Sequence, residues 1–232
     1  MKLKMMVVTG LMCSGILTGA ASSVMADETV PPQNIVTGSE DGKGGTSRGY
    51  IKLTPGDEDE GETPPTKPTV PPGGTGNKGV LTLDNVAPLL FNSHKLEGKE
   101  QVYTSVVVDS NIQVTDKRGE EAGWHVQVTQ TPFVDMVDAT KVLKGAKLIL
   151  PVGTLEETGN VSLAPEVRGV EVNAVASVLM NAAKGSGAGT WTNIFDKDEI
   201  KLTVPAGNKT GEYMSTVTWA LVDAPAATPE TK

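Results

Sequence analysis

Cysteine is almost absent from this chain of 232 residues: there is one, Cys13, and it lies in the leading apolar stretch. If that stretch is removed on export, the remainder has no disulfide, no thiol nucleophile and no cysteine-based metal site. Histidine is nearly as scarce, with only His94 and His125. They are far apart and have no Cys or carboxylate at metal-ligand spacing, which argues against zinc hydrolysis. Aromatic residues make up 4%. After the leader no apolar run approaches the ~20 residues a membrane helix needs, so no transmembrane segment is expected in the mature chain. Cationic clusters are missing too, with 28 Asp and Glu against 20 Lys and Arg. Loss of Lys2 and Lys4 with the leader leaves 18 basic residues against 28 acidic, a net charge of −10. Nucleic acid, which needs clustered cations, is thereby disfavoured as a partner. Lys141, Lys144 and Lys147 come closest to a basic patch, and their spacing fits the solvated side of one element.

The chain begins "MKLKMMVVTGLMCSGILTGAASSVMADE", with two lysines, an apolar run and small residues ending in Val24-Met25-Ala26. This is the pattern of a secretory signal peptide over residues 1–26, with cleavage expected after Ala26. Gly10-Leu11-Met12 ahead of Cys13 does not have the order of a lipoprotein signal. Export without cysteine points to a bacterial secretory product. The tail "APAATPETK" has neither a wall-sorting Leu-Pro motif nor a hydrophobic end. Association with a cell would then be neither covalent nor through a membrane helix.

Residues 27–78 are rich in Pro, Gly, Thr and acids and have almost no apolar alternation. Such a stretch has little surface to bury against its ordering entropy and is expected to be a disordered spacer. The acidic run "DEDEGE" at 57–62 lacks the ligand positions of a calcium loop. From residue 79 to the end, short alternating segments separated by Gly, Pro and Asp turns imply one all-β domain, a β-sandwich or a barrel-like closure. The segments are "VLTLDNV", "VYTSVVVD", "IQVTD", "WHVQVTQ", "KLILP", "VSLA", "GVEV", "IKLTVP" and "YMSTVTWALV". In "NAVASVLMNAAKG", Val175, Val178, Leu179 and Ala182 have helical spacing, and one short helix capped at Gly185 is expected there. The following "AKGSGAGTW" lacks the lysine-hydroxyl ending of a phosphate loop and is expected to be a flexible connection.

Two tryptophans stand two residues before an aliphatic side chain. Alternation puts Trp124, Val126 and Val128 on one strand face, opposite His125, Gln127 and Thr129. It also aligns Tyr213, Ser215, Val217, Trp219 and Leu221. Both pairs are therefore expected to be mainly core, with an indole edge able to meet a partner at a sheet rim. Before the first pair, Asp116, Arg118, Gly119 and Gly123 suit a hairpin turn held by an Asp116–Arg118 interaction, and could also form a polar rim beside Trp124. Enzyme motifs are lacking. Ser186 in "GSGAG" is not a nucleophile elbow, and Asp196, Asp198 and Glu199 suit a solvated turn. A non-catalytic protein without cofactor or metal is expected.

The stretches "GVLTLDNVAPLLF" (79–91), "VTDKRGEEAGWHVQVTQTPF" (114–133), "GAKLILP" (145–151), "GSGAGTWTNIF" (185–195) and "VPAGNKTGEYMSTVTWALVDAP" (204–225) resemble, in this order, the WxL domain family of Gram-positive cell-surface proteins. The second motif stands as Trp219-Ala220-Leu221, with Tyr213 ahead and Pro225 behind. The first reads Trp124-His125-Val126, with Val where the family has Leu. The resemblance implies a small secreted WxL protein held non-covalently at the cell wall, with peptidoglycan as ligand. It also implies partners: larger WxL proteins and a membrane-anchored WxL-interacting protein. The alternative is an adhesin or assembly subunit that binds a protein, such as a sister WxL chain or host matrix.

Overall fold

The computed structural model describes residues 36–59 and 61–227; the expected signal peptide and its cleavage site lie outside the described residues. Strand is the only regular structure among the described residues. In chain order the strands begin with β1 (Val36–Gly38), β2 (Gly45–Ser47), β3 (Leu81–Asn85), β4 (Gln101–Thr104) and β5 (Asn111–Asp116). Then follow β6 (Trp124–Gln130), β7 (Val134–Asp135), β8 (Lys147–Leu150), β9 (Thr154–Glu157), β10 (Glu166–Val167) and β11 (Val170–Val172). The last are β12 (Ser177–Ala182), β13 (Gly189–Ile194), β14 (Lys201–Val204), β15 (Tyr213–Met214) and β16 (Val217–Val222). The chain divides into two units, Met1–Lys52 and Leu53–Lys232. Of the first, the described part is the β1–β2 hairpin, whose turn is closed by Ser39 Oγ and the Asp41 carboxylate accepting from the amides of Gly44 and Lys43.

The second unit is an all-β sandwich. Three four-stranded antiparallel sheets, ordered β3-β5-β13-β9, β10-β12-β6-β16 and β11-β8-β14-β4, share one apolar core. Period-two alternation explains which side chains enter it. Trp124, Val126 and Val128 of β6 are fully buried, while His125, Gln127 and Thr129 between them are partly exposed. Ile112 and Val114 of β5, Leu148 and Leu150 of β8, Leu202 of β14 and Trp191 of β13 meet them from the other sheets.

The expected helix over "NAVASVLMNAAKG" is instead strand β12. A bulge between Val178 and Met180 shifts its register against β6. Leu179 and Met180 are then both buried, and the interrupted period of two imitates helical spacing. The glycine-rich connection leads directly into β13, which carries Trp191 at 3% exposure. Expected strand 161–164 forms only an isolated bridge from Leu163 to Ser186. Expected strand 213–222 is broken at Ser215-Thr216 into β15 and β16, and these belong to different sheets.

The second half of the expected spacer does not behave as one. Residues 64–77 run as a strap over the outer face of the sheet β3-β5-β13-β9. All six residues of β5 are buried, although only one face of the strand is apolar. The other face presents Asn111, Gln113 and Thr115; the strap bonds the first two, and the Thr115 hydroxyl bonds Asp84 of β3 and Thr190 of β13. Thr66 N donates to Gln113 Oε1 at 2.6 Å, Gln113 Nε2 donates to Pro64 O at 3.1 Å, and Asn111 Nδ2 donates to Lys67 O at 2.7 Å. Further along, Thr75 N donates to Asp84 O at 2.9 Å and Val86 N to Gly73 O at 2.9 Å, which covers the end of β3. Gly73 is required here, since a Cβ would collide with the carbonyl of Val86. The strap is held by hydrogen bonds rather than apolar burial, which is why hydropathy gives no sign of it.

Candidate functional site

An open cleft of about 520 Å³ lies between β3 and β16, the edge strands of two different sheets. Trp219 and Leu221 line one side, and residues 77–83 line the other. Glu58, Arg118 and Asp223 are at its margin. Its size is within the range of small-ligand sites, with a flat indole and an aliphatic side chain set among a few charged groups.

The position of Trp219 follows from strand order. In register, Trp219 lies opposite Val128 and Leu221 opposite Val126, so both share the core-facing side of β6. β6 is flanked by β12 and β16, whereas β16 is the last strand of its sheet. An inner strand has its face sealed from both sides, and an edge strand does not. Trp124 is consequently fully buried, with Nε1 donating to Gly187 O at 3.0 Å. Trp219 and Leu221 are only partly buried and open to the cleft. Gly187 must be glycine, because its φ is +81° and a Cβ there would strike Ala182 and the Trp124 ring.

Arg118 fixes the cleft margin. Its Nε and Nη2 donate to the two carboxylate oxygens of Asp116 at 3.0 and 2.7 Å, and Nη2 also donates to Gly123 O at 3.1 Å. Nη1 pairs with Asp223 just beyond the end of β16. The hydrogen bonds to Asp116, followed by the attraction of the nearby carboxylates, hold the guanidinium above its already high ordinary pKa. The Asp116–Arg118 interaction expected from sequence is thus present, but not in a hairpin. β5 and β6 lie in different sheets, and the turn is the corner between them.

Of the site residues named from sequence, Trp219, Leu221 and Arg118 come together at the cleft and Asp116 supports Arg118. Trp124 and Val126 are in the core. Tyr213 is elsewhere, on β15 paired with β7, where its hydroxyl donates to Lys209 O at 2.9 Å. The lysine trio does not share one element: Lys144 binds Asn208 through its backbone, and Lys147 on β8 pairs with Glu171. Glu58, Lys78, Leu81 and Asp223 are cleft residues that the sequence did not single out. Asp223 could have been found as the charged end of the second motif strand. Glu58 and Lys78 could not, lying in a segment without apolar periodicity.

Among the described residues there is no cluster of three or more His, Cys, Asp or Glu able to hold a metal, and no helix long and apolar enough to cross a membrane. No curated protein and no solved structure shows significant similarity to the chain. The family described as "WxL domain surface cell wall-binding" matches residues 40–225. That span contains the strap, all three sheets and both tryptophan motifs, and the chain belongs to the WxL family of cell-wall-binding surface domains.

Proposed function

We propose that this protein is a secreted, non-catalytic surface protein that attaches non-covalently to the peptidoglycan of a Gram-positive wall, and that the β3–β16 cleft makes the contact. The observation supporting this reading is the partial exposure of Trp219 and Leu221 in a cleft of about 520 Å³, beside charged groups at Glu58, Arg118 and Asp223. An indole face offers apolar area at low entropic cost, and the surrounding polar groups can orient a sugar or a stem peptide. Electrostatic attraction contributes little, since a chain at −10 after export meets an anionic wall. The test is sedimentation with purified sacculi stripped of protein. Retention of the parent and loss of retention in a folded Trp219→Ala variant support the reading; equal retention of the two removes the cleft from it.

A second reading rests on the outer edge of β16, which no described strand pairs. Unpaired edges accept a strand from another chain. A larger WxL protein or a membrane-anchored WxL-interacting protein would then be the receptor, and retention would occur on untreated envelopes but not on stripped sacculi.

A further inference from the structure

The polar groups under the strap form a connected constellation that the wall-binding reading does not use. Gln113 is fully buried, and its carboxamide oxygen accepts from Thr66 N at 2.6 Å, Thr66 Oγ1 at 2.9 Å and Thr192 Oγ1 at 3.4 Å. The Thr66 and Thr192 hydroxyls are 2.9 Å apart. On the other side, Gln113 Nε2 donates to Asp84 Oδ2 at 2.9 Å, and the Asp84 carboxyl also accepts from Thr82 Oγ1 at 2.5 Å and Thr115 Oγ1 at 2.6 Å. A hydroxyl nucleophile thus lies against one end of a buried carboxamide, and a carboxyl group lies against its nitrogen. We propose that Thr66 and Gln113 form an intramolecular ester cross-link, closing the strap onto β5 with release of ammonia.

The balance needs no further reagent. Thr66 Oγ1 attacks Gln113 Cδ and a C–O bond forms. Charge gathering on the carboxamide oxygen is met by the Thr66 amide and the Thr192 hydroxyl, which already point at it. The C–N bond then breaks, its electron pair leaves on nitrogen, and Asp84 supplies a proton to that nitrogen. In the overall balance the hydroxyl proton of Thr66 replaces the one Asp84 gives. One alcohol and one carboxamide become one ester and one ammonia. Burial raises the Asp84 pKa, against the lowering effect of its hydrogen bonds and of Lys117, and so favours the protonated acid the step requires. Thr66 is exposed on its outer side, which gives ammonia an exit.

The gain is mechanical. Apart from Cys13 the chain has no cysteine, and the strap is held otherwise by hydrogen bonds and by the exposed ion pairs of Lys67 with Asp109 and Glu156. A covalent link across 47 residues of sequence removes loop entropy from the unfolded chain in the way a disulfide does.

Tryptic digestion of the full-length protein tests this, because Lys67 precedes Pro68 and the Thr66 peptide therefore runs from 53 to 78. The expected result is that this peptide is joined to 100–117, with a mass lower than that of the separate pair by one ammonia, about 17 Da. Hydroxylamine, which cleaves esters, should separate the pair. Thr66→Val and Gln113→Leu should each give two unlinked peptides, and Thr66→Ser should restore linkage. Asp84→Asn should lower the rate of linkage more than about tenfold. Unlinked 53–78 and 100–117 peptides from the folded parent protein would overturn the proposal. So would an unchanged loss of ammonia in Thr66→Val.

Discussion

The two Trp-x-aliphatic stretches have the same local chemistry and different surroundings. Trp124-His125-Val126 is in β6, with β12 on one side and β16 on the other, and its indole has no exposed surface. Trp219-Ala220-Leu221 is in β16, at the edge of the same sheet and on the same face, and opens to the cleft. The difference is strand order, not composition. An inner strand makes its tryptophan a piece of core, while the edge strand makes an equivalent tryptophan available to a partner. Replacement of Leu by Val at 126 fits this contrast, since that position needs aliphatic volume in a closed core rather than a shape presented outward.

Truncating the sealed tryptophan should have the largest effect. Trp124→Ala removes a fully buried side chain and the hydrogen bond to Gly187 O, and should cost about 3–5 kcal/mol in denaturant unfolding. A loss under about 1 kcal/mol would contradict the assignment of Trp124 to the core. Next in size is Arg118→Ala, which strips the partner from Asp116, whose side chain is fully buried. Because Arg118 itself is partly reached by solvent, a loss of about 2–3 kcal/mol is expected. Arg118→Lys should recover only part of it, since an ammonium cannot reproduce the forked contact.

Trp219→Ala should cost less, about 1–2 kcal/mol, because the indole already faces solvent on one side. A loss as large as that of Trp124→Ala would erase the distinction between the two motifs. Asp84→Asn should change the pH slope of stability by a fraction of those effects. The folded pKa of Asp84 is raised by burial, so its contribution is greatest below the ordinary aspartate range, about pH 4, and is lost as pH rises through the higher folded value. The variant should be flatter than the parent over that window in thermal unfolding. Parallel pH profiles would mean that Asp84 is not the titrating group.

Alternation made much of the sheet structure legible. "WHVQVTQ" coincides with β6, "IQVTD" lies within β5, and "KLILP", "GVEV" and "IKLTVP" each contain a strand, because one face of each meets the core and the other does not. β12 was hidden by its bulge, which turns an alternating pattern into one with helical spacing. The strap was hidden for a different reason. Its partners are the buried polar side chains Asn111 and Gln113 and backbone groups of β3, and polar pairing leaves no periodic trace in hydropathy. The cleft was legible only in part. Sequence placed Trp219 and Leu221 on one face, but not that β16 is an edge strand, since strand order depends on pairings between distant segments. For the same reason the Asp116–Arg118 pair was foreseen without Asp223, which tertiary structure brings to it.

The central claim is that the edge-strand motif, and not the buried one, makes the wall contact. Retention on protein-free sacculi, measured for Trp219→Ala beside the parent and beside Val102→Ser, an exposed change on β4 away from the cleft, tests it most directly. Each protein must first show cooperative thermal unfolding. The account predicts that Val102→Ser is retained like the parent, while Trp219→Ala, though folded, loses at least about tenfold in apparent affinity, as expected for an aromatic anchor worth 1.4 kcal/mol or more. Folded Trp219→Ala retained as strongly as the parent would contradict it.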